Sequence, residues 1–415
     1  MKLALIGAGE RGTIYADHAV GKGHQIVAVA DLRAEKRLRA AKRYGISPEN
    51  CYEEGLELIQ SAPEADAAIV ATMDRGHFAH AMAALDRGWN LLLEKPISPD
   101  PGECVALERK AREKGLGVTV CHVLRYTPFF QTVKHILDEG TLGRVVTIDH
   151  TENVGNFHMA HSFVRGNWRN SDLASPMILQ KSCHDLDLLL WLTGKHARQV
   201  FSTGTLSFFR PENAPEGSAD RCLDCPVAGN CRFDARKAYL PGAGDWPSQV
   251  LTEDQSEAGI LRALREGPYG RCVFRCDNNV CDHQSTAIAF EDGVTAVFTL
   301  SGMTDRIYRY IHIMCEHGEL FGDEGRGVIR INGFRSNGVD ASEERVIRLG
   351  DVVGGHSGGD AGLMDAFLEA LERGNTRTTL SAISDSVESH LLAFAAEQSR
   401  LTGQAVAMDA YRAMQ

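Results

Sequence analysis

The first dozen residues constrain this chain most. Lys2 to Gly7 reads as a short buried strand. Gly7-Ala8-Gly9-Glu10-Arg11-Gly12 follows at once, and Thr13 to Val20 reads as a helix. In G-x-G-x-x-G at a strand–turn–helix junction, the first glycine permits the tight turn and the second lets backbone approach a pyrophosphate. The third lets the helix pack close on the strand, and the helix N-terminus offers N–H groups to phosphate. Gln25 to Ala30 reads as the next strand. It ends at Asp31, 19 residues after Gly12, where a carboxylate takes the adenosine ribose hydroxyls. Gly7, Gly9, Glu10, Arg11, Gly12 and Asp31 are therefore candidate dinucleotide ligands. Asp31 repels a 2′-phosphate and favours NAD, while the nearby Arg33 blunts that preference and leaves NADP open.

Two further βα units extend the pattern. Ala67 to Ala71 is a strand leading through Thr72 and His77 into a helix. Asn90 to Leu93 is another, ending in Glu94-Lys95-Pro96; residues 101–115 read as a helix and 117–121 as a strand. Alternating strands and helices predict a parallel, doubly wound sheet with ligands at the carboxyl ends of its strands, which adds Thr72, His77, Glu94 and Lys95 to the cofactor candidates. The net charge of −11 over 415 residues does not fit a chain that binds by neutralising phosphates, so no nucleic-acid partner is expected. No apolar run has the length of a membrane span and no leader precedes the first strand, so the chain reads as cytoplasmic.

These residues resemble the Gfo/Idh/MocA family of glucose–fructose oxidoreductase, inositol dehydrogenase and their relatives. The resemblance is carried by the glycine motif, Asp31, Ala71-Thr72, Glu94-Lys95-Pro96, Arg125-Tyr126, the run Gly140 to Val145, and His184-Asp185-Leu186-Asp187. It implies a Rossmann domain at 1–122 and an α+β domain at 123–415 built on a large open, mostly antiparallel sheet whose face mediates homo-dimers or homo-tetramers. It also implies a sugar, sugar derivative or cyclitol substrate bound by Arg125 and Tyr126, with Lys95 near the nicotinamide.

Residues 177–193 read as one helix ended by Gly194, with Gln180, His184 and Asp187 on one face. A polar stripe in so apolar a helix faces water or lines a site. His184 suits the base that takes a hydroxyl proton as hydride leaves, and Asp187 orients it or binds substrate. Inositol dehydrogenase-like members carry an aspartate four residues before this histidine. Here Gln180 stands there and cannot accept a proton, leaving Lys181 as a second positive charge. Upstream, His161, Arg165, Trp168 and Arg169 form either a sugar- or carboxylate-binding stretch or a surface loop.

Residues 210–282 form a cysteine-rich insertion. Cys222, Cys225 and Cys231 follow C-x2-C-x5-C, and Cys272, Cys276 and Cys281 come later. In a cytosolic chain this spacing predicts a structural zinc, with Cys272 the first choice of fourth ligand and Cys276 the second. Free thiols are the alternative, and an iron–sulfur cluster or disulfide the remainder. Beyond it, Thr286 to Phe290 and Thr295 to Leu300 form a hairpin, led by His283 as a site residue or a strand-start histidine. Short strands follow to Leu349. The run Gly354 to Asp360 holds His356, which in the resembling sub-group faces the active site. Ala361 to Arg373 and Leu380 to Leu401 read as helices.

Three functions fit. The first is hydride transfer between NAD(P) and a hydroxyl carbon of a sugar or cyclitol. The second is a glycosidase or lyase that uses tightly bound NAD through a transient keto-sugar. The third is a non-catalytic sugar sensor, against which both Lys95 and His184 argue.

Overall fold

The computed structural model describes residues 1–335, 344–350 and 355–415. Gly354 of the glycine–histidine run lies outside them. Six strands form the first sheet: β1 (Lys2–Ile6), β2 (Gln25–Ala30), β3 (Cys51–Tyr52), β4 (Ala67–Val70), β5 (Asn90–Leu93) and β6 (Val118–Val120). Their order in space is β3-β2-β1-β4-β5-β6, all parallel. Leu3 to Ile6 and Ala67 to Val70 are buried on both faces, as a sheet covered by helices on each side requires. The order reverses between β1 and β4, which opens a crevice at their carboxyl ends.

The glycine turn explains its own sequence. Gly7 has φ +96°, and a Cβ there would lie 2.4 Å from the carbonyl oxygen of Ala71; at Gly12 a Cβ would lie 2.0 Å from that of Gly7. Before the helix Glu10–Gly21, by contrast, the nearest atom to a Cβ at Gly9 is Lys36 Nζ, 3.8 Å away. The chain is thus closed at Gly7 and Gly12, which shape the turn, and open at Gly9.

The second sheet comprises β7 (Val145–Asn153), β8 (Ala197–Thr205), β9 (His283–Phe290), β10 (Thr295–Ser301), β11 (Tyr308–Cys315), β12 (Gly318–Asp323), β13 (Val328–Gly333), β14 (Arg345–Arg348) and β15 (Val406–Ala407). Its order is β14-β13-β12-β11-β7-β10-β9-β8-β15. The β7–β10 pair is parallel and the rest are antiparallel. The expected hairpin is β9–β10. Nothing in hydrophobic alternation reveals β7, because its inward positions carry His150 and Glu152 beside Ile148.

The long C-terminal helix runs Ile383–Thr402, ends at Gly403 with φ +68°, and packs on β8 and on the helix Pro101–Lys114 of the first domain. The insertion folds as short helical pieces around a small core of its own that includes Tyr239, Ile260, Leu264 and Tyr269. Among the described residues no helix is long and apolar enough to cross a membrane.

The single helix expected over 177–193 is instead two, Met177–Gln180 and Cys183–Thr193, with Lys181 and Ser182 between them. This break sets the geometry of the site.

Because its Cβ has no room, Gly12→Ala should destabilise the chain by roughly 1–3 kcal/mol and weaken NADH binding, read by thermal unfolding and fluorescence titration.

Candidate active site

Arg11 leaves the glycine turn and crosses the carboxyl end of the first sheet. Its Nε donates to Glu94 Oε1 at 2.9 Å, while Nη2 and Nη1 reach the two oxygens of Asp360 at 2.6 and 2.9 Å. The Tyr15 hydroxyl, which also contacts Arg11, donates to Glu94 Oε1 at 2.7 Å. Glu94 Oε2 accepts the N–H of Lys95 at 3.0 Å. Burial alone would raise the Glu94 carboxyl; the charges of Arg11 and Lys95 overcome it and hold Glu94 below the usual range. Asp360 is held low in the same way, against burial, by hydrogen bonds from Arg11 and His356. Arg11 and Glu94, expected on the cofactor, are thus spent on each other and on Asp360. The E-K-P strand end, the glycine-turn helix and the start of the helix Gly359–Glu372 are tied by one guanidinium.

That tie aims Lys95. Its Nζ donates to the backbone carbonyl of Gln180 at 2.6 Å. In a continuous helix this carbonyl would accept the N–H of His184, four residues on. The ammonium takes it instead, and the helix breaks there. His184, at the start of the second helix, is buried with Nδ1 unpartnered. Burial first, then the charge of Lys95, then His122, His356 and Lys181, push its pKa well below the ordinary value, so the ring is neutral at physiological pH.

Lys181 points to the other side of the break. Its Nζ lies 3.4 Å from Glu152 Oε1 in a buried cluster with Asp185, Arg309 and His150. Burial pushes the Lys181 ammonium down and the Asp185 carboxyl up, each moderated by the other.

Other expected residues have structural partners. Arg125 forks onto Asp187 at 2.6 and 2.7 Å in a buried pair, and Tyr126 bonds Ser381. His77 bridges the carbonyls of Pro96 and Thr72 at 2.7 and 3.0 Å, so it steadies the loops rather than reaching into the crevice. Thr72 lies at the carboxyl end of β4. Asp31 accepts the N–H groups of Ala8 and Arg33, both at 2.9 Å, which fixes its carboxylate beside the glycine turn. Glu10 and Arg33 are exposed.

His161 stacks on Tyr269 at 4.8 Å and bonds the Tyr239 hydroxyl, both from the insertion. Trp168 packs near Phe163. Arg169 pairs with Asp277 at 2.7 Å. His283 bonds Asp282 on the outward face of the open sheet. Arg165 corrects an expectation. It does not await an anionic ligand, because its buried guanidinium bonds the carbonyls of Arg271 and Phe233 and reaches Cys222 Sγ at 3.3 Å.

Among the described residues no group of three or more ligand-type side chains stands at metal-holding geometry. Cys222, Cys225, Cys231 and Cys272 instead line one cavity of about 20 Å³ with Arg165. Cys276 and Cys281 lie outside that lining.

Sequence reasoning passed over His122, His158 and Asp360. His122 lies two residues past the end of β6, and the carboxyl-end rule would have found it. Its ring lies 5.5 Å from that of His184. His158 is half-buried, and desolvation with the charges of Lys181 and Lys95 lowers its pKa.

Comparison with known proteins follows the same division. A family model described as an oxidoreductase family NAD-binding Rossmann fold, GFO_IDH_MocA, matches residues 1–122, and its companion C-terminal alpha/beta domain matches 134–408. Inositol 2-dehydrogenase of Streptomyces avermitilis is 29% identical over 269 residues, 63% of this chain and 71% of that protein. Inositol 2-dehydrogenase of Pseudomonas savastanoi pv. phaseolicola is 26% identical over 312 residues, 71% and 87% of the two chains. The structure of levoglucosan dehydrogenase in complex with NADH superposes with a TM-score of 0.73 at 18% identity, covering 98% of this chain and 99% of that one, a likeness of fold.

Arg11→Met leaves Glu94 and Asp360 as buried carboxylates without their cation. Arg11 is 28% exposed, which places the expected loss near the lower end of the roughly 3–5 kcal/mol for a broken buried pair. Both carboxyls have folded pKa values below their unfolded ones. Their contribution is therefore complete above the ordinary carboxylate range and disappears as pH falls toward the folded values. Denaturant unfolding across acid pH should show a shallower pH dependence in the variant than in the wild type.

Proposed function

The chain belongs to the Gfo/Idh/MocA oxidoreductase family, and from that premise we propose that it transfers hydride between NAD(P) and a hydroxyl carbon of a sugar, sugar derivative or cyclitol. The observation that carries this reading is the pairing of Lys95 and His184 across the helix break, a fixed ammonium beside a neutral, unpartnered imidazole at the carboxyl end of β5. The inositol dehydrogenase relatives support a polyhydroxylated substrate and favour net oxidation over elimination from a keto-sugar or a purely sensory role.

The residues fit the cofactor. The crevice is open at Gly9, the helix behind it presents free N–H groups, and Asp31 is held beside the turn. The dinucleotide, when bound, accepts or gives the hydride. Lys95 stabilises the charge that grows on the substrate oxygen, and His184 takes the hydroxyl proton. Asp31 supports NAD as the preferred cofactor, with Arg33 leaving room for NADP. Residues 1–122 then serve the dinucleotide, and 123–415 the substrate and assembly.

Finer features belong to the same reading. A homo-dimer or homo-tetramer through the open sheet is supported by the exposed stripe of Phe201, Ala287 and Val297, aligned across β8, β9 and β10. A cytoplasmic location is supported by the free thiols. Structural zinc at Cys222, Cys225, Cys231 and Cys272 is supported by their shared cavity and by Arg165, which forms no ion pair with a carboxylate among the described residues. Thiolates drawn onto a metal would supply its counter-charge.

A polyol panel beginning with myo-inositol, assayed with NAD and NADP, tests the reaction. Reduced nicotinamide should accumulate, and Lys95→Met and His184→Asn should each lower kcat by about 100-fold or more. Release of a leaving group from an aryl glycoside without reduced nicotinamide would contradict it. For the insertion, metal analysis should find about one zinc per chain, lost in Cys272→Ser; a metal-free wild type with reactive thiols would contradict that part alone.

A further inference from the structure

Oxidising a CH–OH group produces a proton as well as a hydride, and this site has an unusual difficulty in disposing of it. His184 stands near the ammonium groups of Lys95 and Lys181 and the rings of His122 and His356, and among the described residues no carboxylate touches its ring. An imidazolium there is disfavoured, so the proton has to move on. Gln180 cannot take it.

Three neighbouring rings offer routes. His122 is wholly buried with both nitrogens unpartnered. It leads to His390, whose ring is already committed to the N–H of Ile97 and the carbonyl of Ser386. The carboxylate nearest His122, Asp187, is 4.0 Å away and held by Arg125. His158 is half-buried between Phe163 and Trp246, its Nδ1 enclosed and unpartnered. Among the described residues neither ring is hydrogen-bonded to a carboxylate.

His356 differs in every respect. Its ring centroid lies 6.4 Å from that of His184. Its side chain is 41% exposed, and Nδ1 lies 3.1 and 3.2 Å from the two oxygens of Asp360. The loop that presents it is strained: His356 and Ser357 have φ of +46° and +50°, a conformation that costs a non-glycine residue on the order of 1–3 kcal/mol and persists where the surroundings enforce it. The surroundings do so here through the Arg11–Asp360 pair and a Ser357 Oγ–Glu324 bond of 3.3 Å.

We propose that His356, backed by Asp360, carries the substrate proton from His184 to solvent and so takes the part that an aspartate at position 180 would play. The proposal rests on the hydride-transfer reading above. The O–H bond breaks and its proton passes to the His184 ring. The C–H bond breaks, its electron pair leaving with the hydride for the nicotinamide, and the carbonyl forms. The proton then crosses to His356, over a gap that one water or a second substrate hydroxyl spans, and leaves to bulk solvent with both rings neutral again. His356 acts through His184, facing Arg11 and Asp360 on its own side and His184 and His158 across the pocket.

The test uses the full-length protein with NAD and the polyol that the wild type oxidises fastest. His356→Asn can keep the bond to Asp360 but cannot relay a proton, and His356→Ala leaves space for added imidazole. Both should bind NADH nearly as the wild type does, with KM for the polyol little changed and kcat lowered on the order of 100-fold. The solvent deuterium effect on kcat should grow, and imidazole should restore activity to His356→Ala. Retention of kcat within about twofold of wild type, or loss of NADH affinity in parallel with kcat and no rescue by imidazole, overturns the relay, since rescue is the behaviour expected of a proton-transfer group. A wild type that oxidises no polyol overturns the hydride reading first and the relay with it.

Discussion

A single guanidinium organises this molecule. Arg11 sits inside the glycine motif, and its side chain bridges Glu94 and Asp360. Glu94 directly follows β5 and precedes Lys95. Asp360 begins the helix that follows the histidine loop, late in the second domain. Burying two carboxylates is costly unless a cation and hydrogen bonds meet them, and here Arg11, Tyr15 and the Lys95 N–H do so together. The same arrangement that makes the pair tolerable fixes Lys95 and His356 relative to the nucleotide crevice. In the proposed reaction this one side chain would couple binding of the dinucleotide to the placement of Lys95 and His356.

From there the consequences run outward. Lys95, once aimed, takes the Gln180 carbonyl, and the helix breaks between Gln180 and Cys183. The break turns His184 toward Lys95 and Lys181 toward Glu152. Two charge systems result: a pocket around His184 dominated by the Lys95 ammonium, and a balanced buried cluster of Lys181, Glu152, Asp185, Arg309 and His150. In such a pocket the neutral imidazole is favoured before reaction, and any proton it accepts is driven off. A half-exposed histidine held on a carboxylate at the pocket edge answers that need.

The first sheet was legible because its signals are local. Buried parallel strands are continuous apolar runs, and the glycine turn is forced by contacts as close as the Ala71 and Gly7 carbonyls. The carboxyl-end rule likewise pointed to Lys95. What could not be read has a common cause in long-range pairing. Strand β7 hides because its inward side carries His150 and Glu152, which are acceptable only beside Asp185 and Arg309 from distant segments. Arg125 and Asp187 carry the chemistry of a substrate clamp but satisfy each other. Arg165 looks like an anion ligand in sequence and is consumed by the insertion. Residue type suggested the right chemistry at these positions, while only the partner brought by the fold decided whether that chemistry was free to act.

The account turns on Lys95 and His184 sharing one substrate hydroxyl while Arg11 stays on its two carboxylates. A crystal structure of the complex with NADH and a bound polyol tests this directly. The account predicts one substrate hydroxyl within hydrogen-bond reach of both Lys95 Nζ and the His184 ring, its carbon facing the nicotinamide, with the Arg11 bridge intact. A substrate hydroxyl bound away from either residue, or Arg11 released from Glu94 and Asp360 to hold the pyrophosphate, would contradict it.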